Sequence, residues 1–304
     1  MCDPASIHVS VLLAECMELL RPRSGGLYVD CTLGLGGHTE GILQRSGPDG
    51  RVVGFDWDSS AQQKSRQRLA SFGERLIPVR RNFAELAEGL DDLNICEVDG
   101  LLLDAGLSSL QLDLHEGRGF SFQRDEPLDM RMDNRRSVTA ASILARADES
   151  ELADILYYYG EERQARRIAA AIVTARKKEQ LQTTRQLVEV VNAAVPRRFH
   201  PKRIHIATKT FQALRIAVNG ELENLGIALD SGVRYMKPGA RFCVISFHSL
   251  EDRLVKRKFR ENPALEVITS RPVGASSEEV ERNPRSRSAR LRVAQKLEKR
   301  EEKE

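Results

Sequence analysis

Three acids and a glycine-dense turn are where this chain can do chemistry. Leu27-Tyr28-Val29-Asp30 runs into Cys31-Thr32-Leu33-Gly34-Leu35-Gly36-Gly37-His38, and Arg51-Val52-Val53-Gly54-Phe55 ends in Asp56. This reads as a strand, a tight turn, a helix start (Thr39, Ile42, Leu43) and a second strand closed by an acid 20 residues after Gly36. That spacing suits an acceptor for ribose hydroxyls. A dinucleotide fingerprint needs a third glycine at position 39, where the chain has Thr39, and Asp30 would repel a pyrophosphate. The same carboxylate favours the ammonium and sulfonium of S-adenosylmethionine, which carries no phosphate. The unit therefore predicts a methyl-donor site, with a nicotinamide site and a plain tight turn as the alternatives.

The elements that must hold these residues follow from hydrophobic pattern. Arg75–Val79 and Val98–Asp104 read as third and fourth strands, with Phe83 and Asp104 at or just past their ends, where open α/β sheets bind ligands. Residues 117–136 are loop-like, and helices are predicted over 138–146, 149–159, 161–178 and 184–194. In the third of these, Ala165, Ile168, Ala169, Ile172 and Val173 form a stripe read as core. A long amphipathic helix from Phe211 to Leu229 is expected to stop at Pro238-Gly239, followed by a buried strand over 241–247. Leu265–Thr269 and Arg290–Ala294 suit a closing antiparallel pair. The prediction is a doubly wound α/β sheet interrupted by a helical insertion: residues 1–107 and 216–304 around an inserted domain at 108–215.

Composition bounds the class. With 304 residues and 41% apolar content, one α/β core and a smaller second unit can be buried. No apolar run reaches membrane-span length, and Asp3 and Glu15 flank the first apolar stretch without a secretory pattern, so a cytoplasmic protein with no membrane partner is expected. Five scattered cysteines with no C-x-x-C pair suggest reduced thiols and no metal. The net charge of +3 is uneven. Arg197, Arg198, Lys202, Arg203, Lys209 and Arg215 lie in an acid-free stretch, as do Arg282, Arg285, Arg287, Arg290, Arg292 and Lys296. Two such segments in an otherwise acidic chain suggest a polyanion track, with Phe199, His200 and His205 offering stacking surfaces in the first; a solvated face and a frayed tail are the bland readings.

Further segments join the turn. They are Asp104-Ala105-Gly106-Leu107-Ser108-Ser109-Leu110-Gln111-Leu112-Asp113, Arg118-Gly119-Phe120-Ser121-Phe122 with Pro127-Leu128-Asp129-Met130-Arg131-Met132, Ser246-Phe247-His248-Ser249-Leu250-Glu251-Asp252-Arg253, and Asn283-Pro284-Arg285-Ser286-Arg287-Ser288. Together they closely resemble the bacterial RsmH (MraW) family, which methylates N4 of a cytosine in 16S ribosomal RNA. The resemblance runs from about His8 to Arg292. It implies a class I S-adenosylmethionine-dependent methyltransferase sheet of Rossmann-like form, a helical insertion for substrate recognition, and 16S ribosomal RNA in the small ribosomal subunit as partner. The family's donor-binding positions fall on Gly36, Gly37, His38, Asp56, Phe83, Asp104 and Gln111. Family members usually have Leu and Pro where this chain has Ala105 and Leu110, which bears on the shape of the loop under the target base.

Cytosine N4 is a poor nucleophile because its lone pair is delocalised, so an acceptor must hold the amino group as it pyramidalises. Asp104 is the candidate catalytic residue, accepting an N4 proton; the alternative is that it only orients the methionine moiety. His248 and Glu251 follow the fifth strand: the histidine beside a carboxylate serves as base or RNA contact, or else Glu251 or Asp252 simply caps the next helix. Arg118, Phe120 and Phe122 either clamp and stack an extruded base or pack a lid. Arg197, Arg198, Arg285 and Arg287 are the candidate backbone contacts. Trp57 carries no assigned role, although beside Asp56 it could cover an adenine face. A monomer and a homodimer both fit the sequence. Two other functions compete: a non-catalytic RNA-binding assembly factor, disfavoured by the intact acids, and a nicotinamide-dependent oxidoreductase, disfavoured by Asp30 and Thr39.

Overall fold

The computed structural model describes residues 10–106, 117–202 and 204–298. The chain forms two compact units, Met1–Ser108 with Leu222–Glu304, and Ser109–Glu221. In the first, β1 (Leu27–Asp30), β2 (Arg51–Phe55), β3 (Leu76–Val79), β4 (Val98–Asp104) and β5 (Met236–Ser246) are parallel. With β6 (Leu265–Val267) and β7 (Arg290–Lys296) they make a seven-stranded sheet in the order β3-β2-β1-β4-β5-β7-β6, β7 running antiparallel to both its neighbours. The strand order reverses between β1 and β4. Connections there leave toward opposite faces of the sheet and open a crevice at the carboxyl ends, which are occupied by Asp30 and Asp104.

Both faces of the sheet are apolar. Val29, Leu101, Leu103, Phe242 and Val244 enter one core with α4 (Leu86–Asp92), α10 (Glu221–Tyr235) and α11 (Ser249–Glu261). The alternate residues Tyr28, Leu102, Cys243 and Ile245 enter the other with α1 (Leu13–Leu20) and α2 (Gly37–Arg45). Each fully buried Leu or Phe contributes about 1.5–3 kcal/mol, so the strand ends are held by a stiff frame. Helix α3 (Ser59–Arg68) is capped by Asp58, and α12 (Ser277–Arg282) by Ser276. Cys16, Cys31 and Cys243 are buried free thiols whose pKa is pushed up by burial, that of Cys243 to about 12.

The second unit holds α5 (Ala140–Arg146), α6 (Glu149–Tyr158), α7 (Ala165–Arg176), α8 (Thr184–Ala194) and α9 (Thr208–Asn219) around a core of its own. Reciprocal side-chain caps start three of these helices, at Thr139 with Ser142, Asp148 with Glu151 and Thr183 with Gln186. The stripe Ala165, Ile168, Ala169 and Ile172 is buried in this core. One prediction fails. The long helix expected from Phe211 to Leu229 is two helices, α9 and α10, broken at Gly220, which sits in the left-handed region at φ 65°. Asn219 turns its amide onto the carbonyls of Met130 and Arg215, so the chain leaves the helix there. Helix α10 ends at Tyr235, and Pro238-Gly239 lie inside β5. The sequence pattern gave no specific expectation for α1, α3, α4 or α12. Among the described residues no helix is long and apolar enough to cross a membrane.

Candidate active site

Asp30 ends β1 completely buried, accepting from Thr39 Oγ1 at 2.7 Å and from the Thr32 N–H at 3.0 Å. Burial pushes its carboxyl up; His38 and these hydrogen bonds offset part of the rise. Both its oxygens are engaged within the protein and the side chain has no exposed surface, unlike that of Asp56 below. Thr39, read from sequence only as a missing glycine, staples the first turn of α2 to β1. His38 is also turned inward, donating from Nε2 to the Val11 carbonyl at 2.9 Å. The glycines are demanded by packing as well as by the turn. Gly36 sits at φ 80°, and a Cβ there would press on Leu69; a Cβ at Gly37 would run into Ser10 Oγ. Gly34 is also left-handed, at φ 50°, but a Cβ there would meet only the Thr32 carbonyl, at 3.8 Å.

Asp56 follows β2. Its Oδ2 accepts from the Gly34 N–H at 2.8 Å and its Oδ1 from the Asp58 N–H at 2.9 Å, tying the second strand to the glycine turn. Burial pushes its carboxyl to about 6, with Asp58 and Asp30 adding to the rise against those two hydrogen bonds. Trp57 beside it is partly exposed. Phe83 follows β3 in a short 3-10 turn whose start is fixed by Asn82 and Glu85 capping one another; its ring is half-buried against the core of that sheet face.

Asp104 ends β4. Its backbone N–H donates to Thr32 Oγ1 at 2.8 Å and its Oδ1 accepts from the Gly106 N–H at 2.9 Å. Oδ2 accepts no hydrogen bond among the described residues. Burial pushes its carboxyl up, opposed by His38 and the Gly106 N–H and reinforced by Asp30 and Glu251. Ala105, one of the departures from family habit, donates its N–H to the Ile245 carbonyl at 3.0 Å, so the turn stays locked to β5. The other departure, Leu110, and the donor position Gln111 lie outside the described residues. Phe247 is a residue the sequence reading missed. Its ring packs against Gly106, where a Cβ would come within 2.7 Å of it, which puts an aromatic face beside the Asp104 turn. The available signal was an aromatic directly after a buried strand and a glycine two residues past the acid.

His248 and Glu251 take the capping alternative. His248 caps α11, its Nδ1 accepting from the Glu251 N–H at 3.4 Å, while Glu251 Oε2 accepts from the Phe247 N–H at 2.8 Å. Nε2 of His248 lies 3.1 Å from Glu251 Oε1 but out of line for a hydrogen bond. Glu251 is only 2% exposed, so it is a positioning group for the Phe247 turn and not a surface contact. Asp252 is taken by Arg292 and Arg290, at 2.6 and 3.1 Å. This removes Arg292 from the predicted polyanion track, because it is buried as part of β7. Arg285 and Arg287 are exposed on a 3-10 turn, Pro284–Ser288.

In the helical unit, the Arg118 guanidinium lies 5.8 Å from the Phe120 ring centre and donates to the Arg131 and Met132 carbonyls. Phe122 is stacked on His205 at 4.5 Å and meets Phe211 edge-on at 5.2 Å, so packing already covers that ring, contrary to a base-stacking role. Of the first basic segment, Lys209 donates to the Glu161 carbonyl and Arg215 pairs with Glu221, which takes both out of the predicted track. Arg197 and Arg198 are exposed, Arg198 lying over the Phe199 ring at 4.8 Å.

Asp30, Asp56 and Asp104 thus converge at the carboxyl edge of β1, β2 and β4, each with a raised pKa and with no Lys or Arg among the causes that act on it. An uncompensated cluster of carboxylates at a glycine turn rejects phosphate and fits a cationic donor that brings ribose hydroxyls. This sheet order with this site defines a class I methyltransferase that uses S-adenosylmethionine. A family profile described as the MraW methylase family matches residues 5–297. The chain belongs to that family. It is 64% identical over 295 residues to a protein of Desulfotalea psychrophila named "Ribosomal RNA small subunit methyltransferase H", covering 97% of this chain and 100% of that one. A protein of the same name from Geotalea uraniireducens is 52% identical, covering 95% and 98%. A solved methyltransferase homolog protein from Pyrococcus horikoshii aligns at 14% identity and TM-score 0.47, covering 97% of this chain and 73% of that one.

Proposed function

We propose that this enzyme transfers a methyl group to the N4 amine of a cytosine in small-subunit ribosomal RNA. The observation that carries the reading is the match, over nearly the whole chain, to relatives whose printed names give that RNA as substrate. The choice of N4 rests on the family resemblance and on Asp104, whose Oδ2 accepts no hydrogen bond among the described residues.

When bound, S-adenosylmethionine supplies an electrophilic methyl group on a sulfonium. Asp56 would hold the donor's ribose hydroxyls, Gly34, Gly36 and Gly37 would let backbone N–H groups approach the methionine moiety, and Phe83 and Trp57 would border the adenine. The field of Asp30 and Asp104 favours the donor's positive charge. Oδ2 of Asp104 would accept a proton from the target amine as N4 becomes tetrahedral, while Oδ1 stays fixed by the Gly106 N–H. Because Asp104 already has a raised pKa, taking that proton costs less than it would for an ordinary carboxylate.

The helical unit, Ser109–Glu221, would bind the RNA through Arg118, Phe120, Arg197 and Arg198, while Arg285 and Arg287 of the sheet-bearing unit would contact phosphates. The family resemblance assigns Gln111 to the donor as well. This would happen where ribosomes are assembled, in the cytoplasm. The test is to incubate the purified protein, labelled donor and small subunits from a strain lacking the enzyme, then digest the RNA to nucleosides. N4-methylated cytidine is expected, and assembled subunits should outperform naked RNA. Label only at carbon 5 or at a ribose oxygen would overturn the assignment.

A further inference from the structure

Helix α11 starts at Ser249, two residues after Phe247, and runs away from the carboxyl edge of the sheet. Its exposed face carries Arg253, Lys256, Arg257 and Arg260 at the i, i+3, i+4, i+7 spacing of one helix side. These cations rim a groove of about 850 Å³ whose apolar floor is Leu222, Leu250 and Leu254. Glu223 and Glu261 also line it, so the groove is net basic rather than purely so.

Stability does not explain this face. The helix dipole favours Lys258 and Arg260 in the last turn, and Lys258 already pairs with Asp230 at 2.6 Å. Lys256 and Arg257 lie further back, and Lys256, Arg257 and Arg260 form no ion pair among the described residues. Like charges at Arg253 and Arg257, and again at Lys256 and Arg260, repel across one turn and cost a few tenths of a kcal/mol each, on the order of 0.2–0.5. A net-basic row over an apolar floor, in which Lys256, Arg257 and Arg260 have no ion pair among the described residues, matches a strand of nucleic acid: phosphates on the rim, ribose and base faces on the leucines.

We infer that the α11 groove is a second RNA-binding surface, which takes the backbone of a single-stranded stretch flanking the target nucleotide and leads it to the Phe247–Asp104 edge. The inference rests on the proposed RNA substrate and adds where on the sheet-bearing unit that RNA lies. Neither basic segment visible in the sequence includes these residues.

The test combines Lys256→Gln, Arg257→Gln and Arg260→Gln, all surface positions, and measures affinity for deproteinised 16S ribosomal RNA against salt concentration. Losing three phosphate contacts should make the log–log salt slope shallower by about 2, which is on the order of 100-fold weaker binding at 0.1 M salt. Calorimetric affinity for S-adenosylhomocysteine should stay unchanged. The charge-preserving set Lys256→Arg, Arg257→Lys, Arg260→Lys should keep the wild-type slope. An unchanged slope in the neutral variant, or equal losses in the charge-preserving one, overturns the inference. Binding lost only to intact subunits and not to bare RNA also overturns it, assigning the groove to a ribosomal protein. Wild-type methylation of subunits, run alongside, decides the substrate reading separately, since the slope comparison uses binding alone.

Discussion

Strand β4 carries two aspartates five residues apart, Asp99 near its amino end and Asp104 at its carboxyl end, and they meet opposite fates. Asp99 accepts from Arg23 at 3.0 Å, Lys237 at 2.8 Å and the Leu27 N–H at 3.0 Å, and these partners hold its carboxyl below the usual range despite burial. Asp104 has one backbone donor among the described residues, and burial raises its pKa, reinforced by Asp30 and Glu251 and opposed by His38 and the Gly106 N–H. The same residue type on the same strand is neutralised at one edge of the sheet and left uncompensated at the other. The amino edge serves stability; the carboxyl edge keeps negative charge in reserve for a cation that the protein does not itself supply.

The largest effect should come from the reserve acid. Asp104→Asn is expected to lower the single-turnover methylation rate by on the order of 10²–10³, beyond any change in donor affinity, because a proton acceptor acts in the transition state. Rapid-quench measurement on subunits checks this. Equal losses in rate and donor binding would make Asp104 an orienting residue only and weaken the contrast with Asp99.

Next in size is Asp56→Ala. Losing a charged acceptor for ribose hydroxyls costs about 1.5–3 kcal/mol per bond, or roughly 10–150-fold in affinity for S-adenosylhomocysteine by calorimetry. The pH dependence has a definite sign. With its carboxyl at about 6, free Asp56 is protonated below that pH, while hydroxyl donors prefer the ionised form. Donor affinity should therefore rise as pH increases through about 6 and level off above it, with proton release on binding near pH 6. A flat profile from pH 5 to about 7.5 would remove Asp56 from the site.

Asp99→Ala tests the other edge. It leaves Arg23 and Lys237 largely in water but strands the Leu27 N–H, so about 1–2 kcal/mol of stability should be lost, read as a lower denaturation midpoint. Since the folded pKa of Asp99 lies below its unfolded value, its contribution is present above the unfolded pKa and disappears as pH falls through the folded one. Donor affinity and rate per folded molecule should not change. A loss of donor affinity would mean the two edges are not independent.

Much of the carboxyl edge was legible in the sequence, because strand-terminal acids and left-handed glycines have local causes. Asp30, Asp56 and Asp104 stand at the strand ends the pattern predicted, and Gly36 at the predicted helix start. Partnership was not legible. Nothing in the local sequence says that Thr39 reaches back nine residues to Asp30, that Asp252 takes Arg292 from a strand 40 residues on, or that Phe122 is covered by His205. The basic track shrank for the same reason: Lys209, Arg215 and Arg292 are cations on paper but have internal partners in the fold. The break at Gly220 was missed because an apolar stripe continues through it, and only a left-handed residue stops the helix.

The finest test of the contrast is Asp30→Asn, which removes charge while keeping shape. The amide oxygen can accept from the Thr32 N–H, and the amide NH₂ can donate to Thr39 Oγ1 once that hydroxyl rotates, so the staple survives. Because burial raises the folded pKa of Asp30, the ionised side chain opposes folding above that pKa and ceases to do so as pH falls through the raised value toward the unfolded one. Removing the charge should leave stability at pH 7 equal or up to ~1 kcal/mol higher, with the gain shrinking on acidification. Donor affinity should fall only a few-fold, about 2–5, since Asp30 contributes field and no contact. Thermal melts with and without S-adenosylhomocysteine read both quantities in one experiment. A variant that melts lower, with donor affinity intact, would place Asp30 with Asp99 as a structural acid and leave Asp56 and Asp104 as the whole of the reserve.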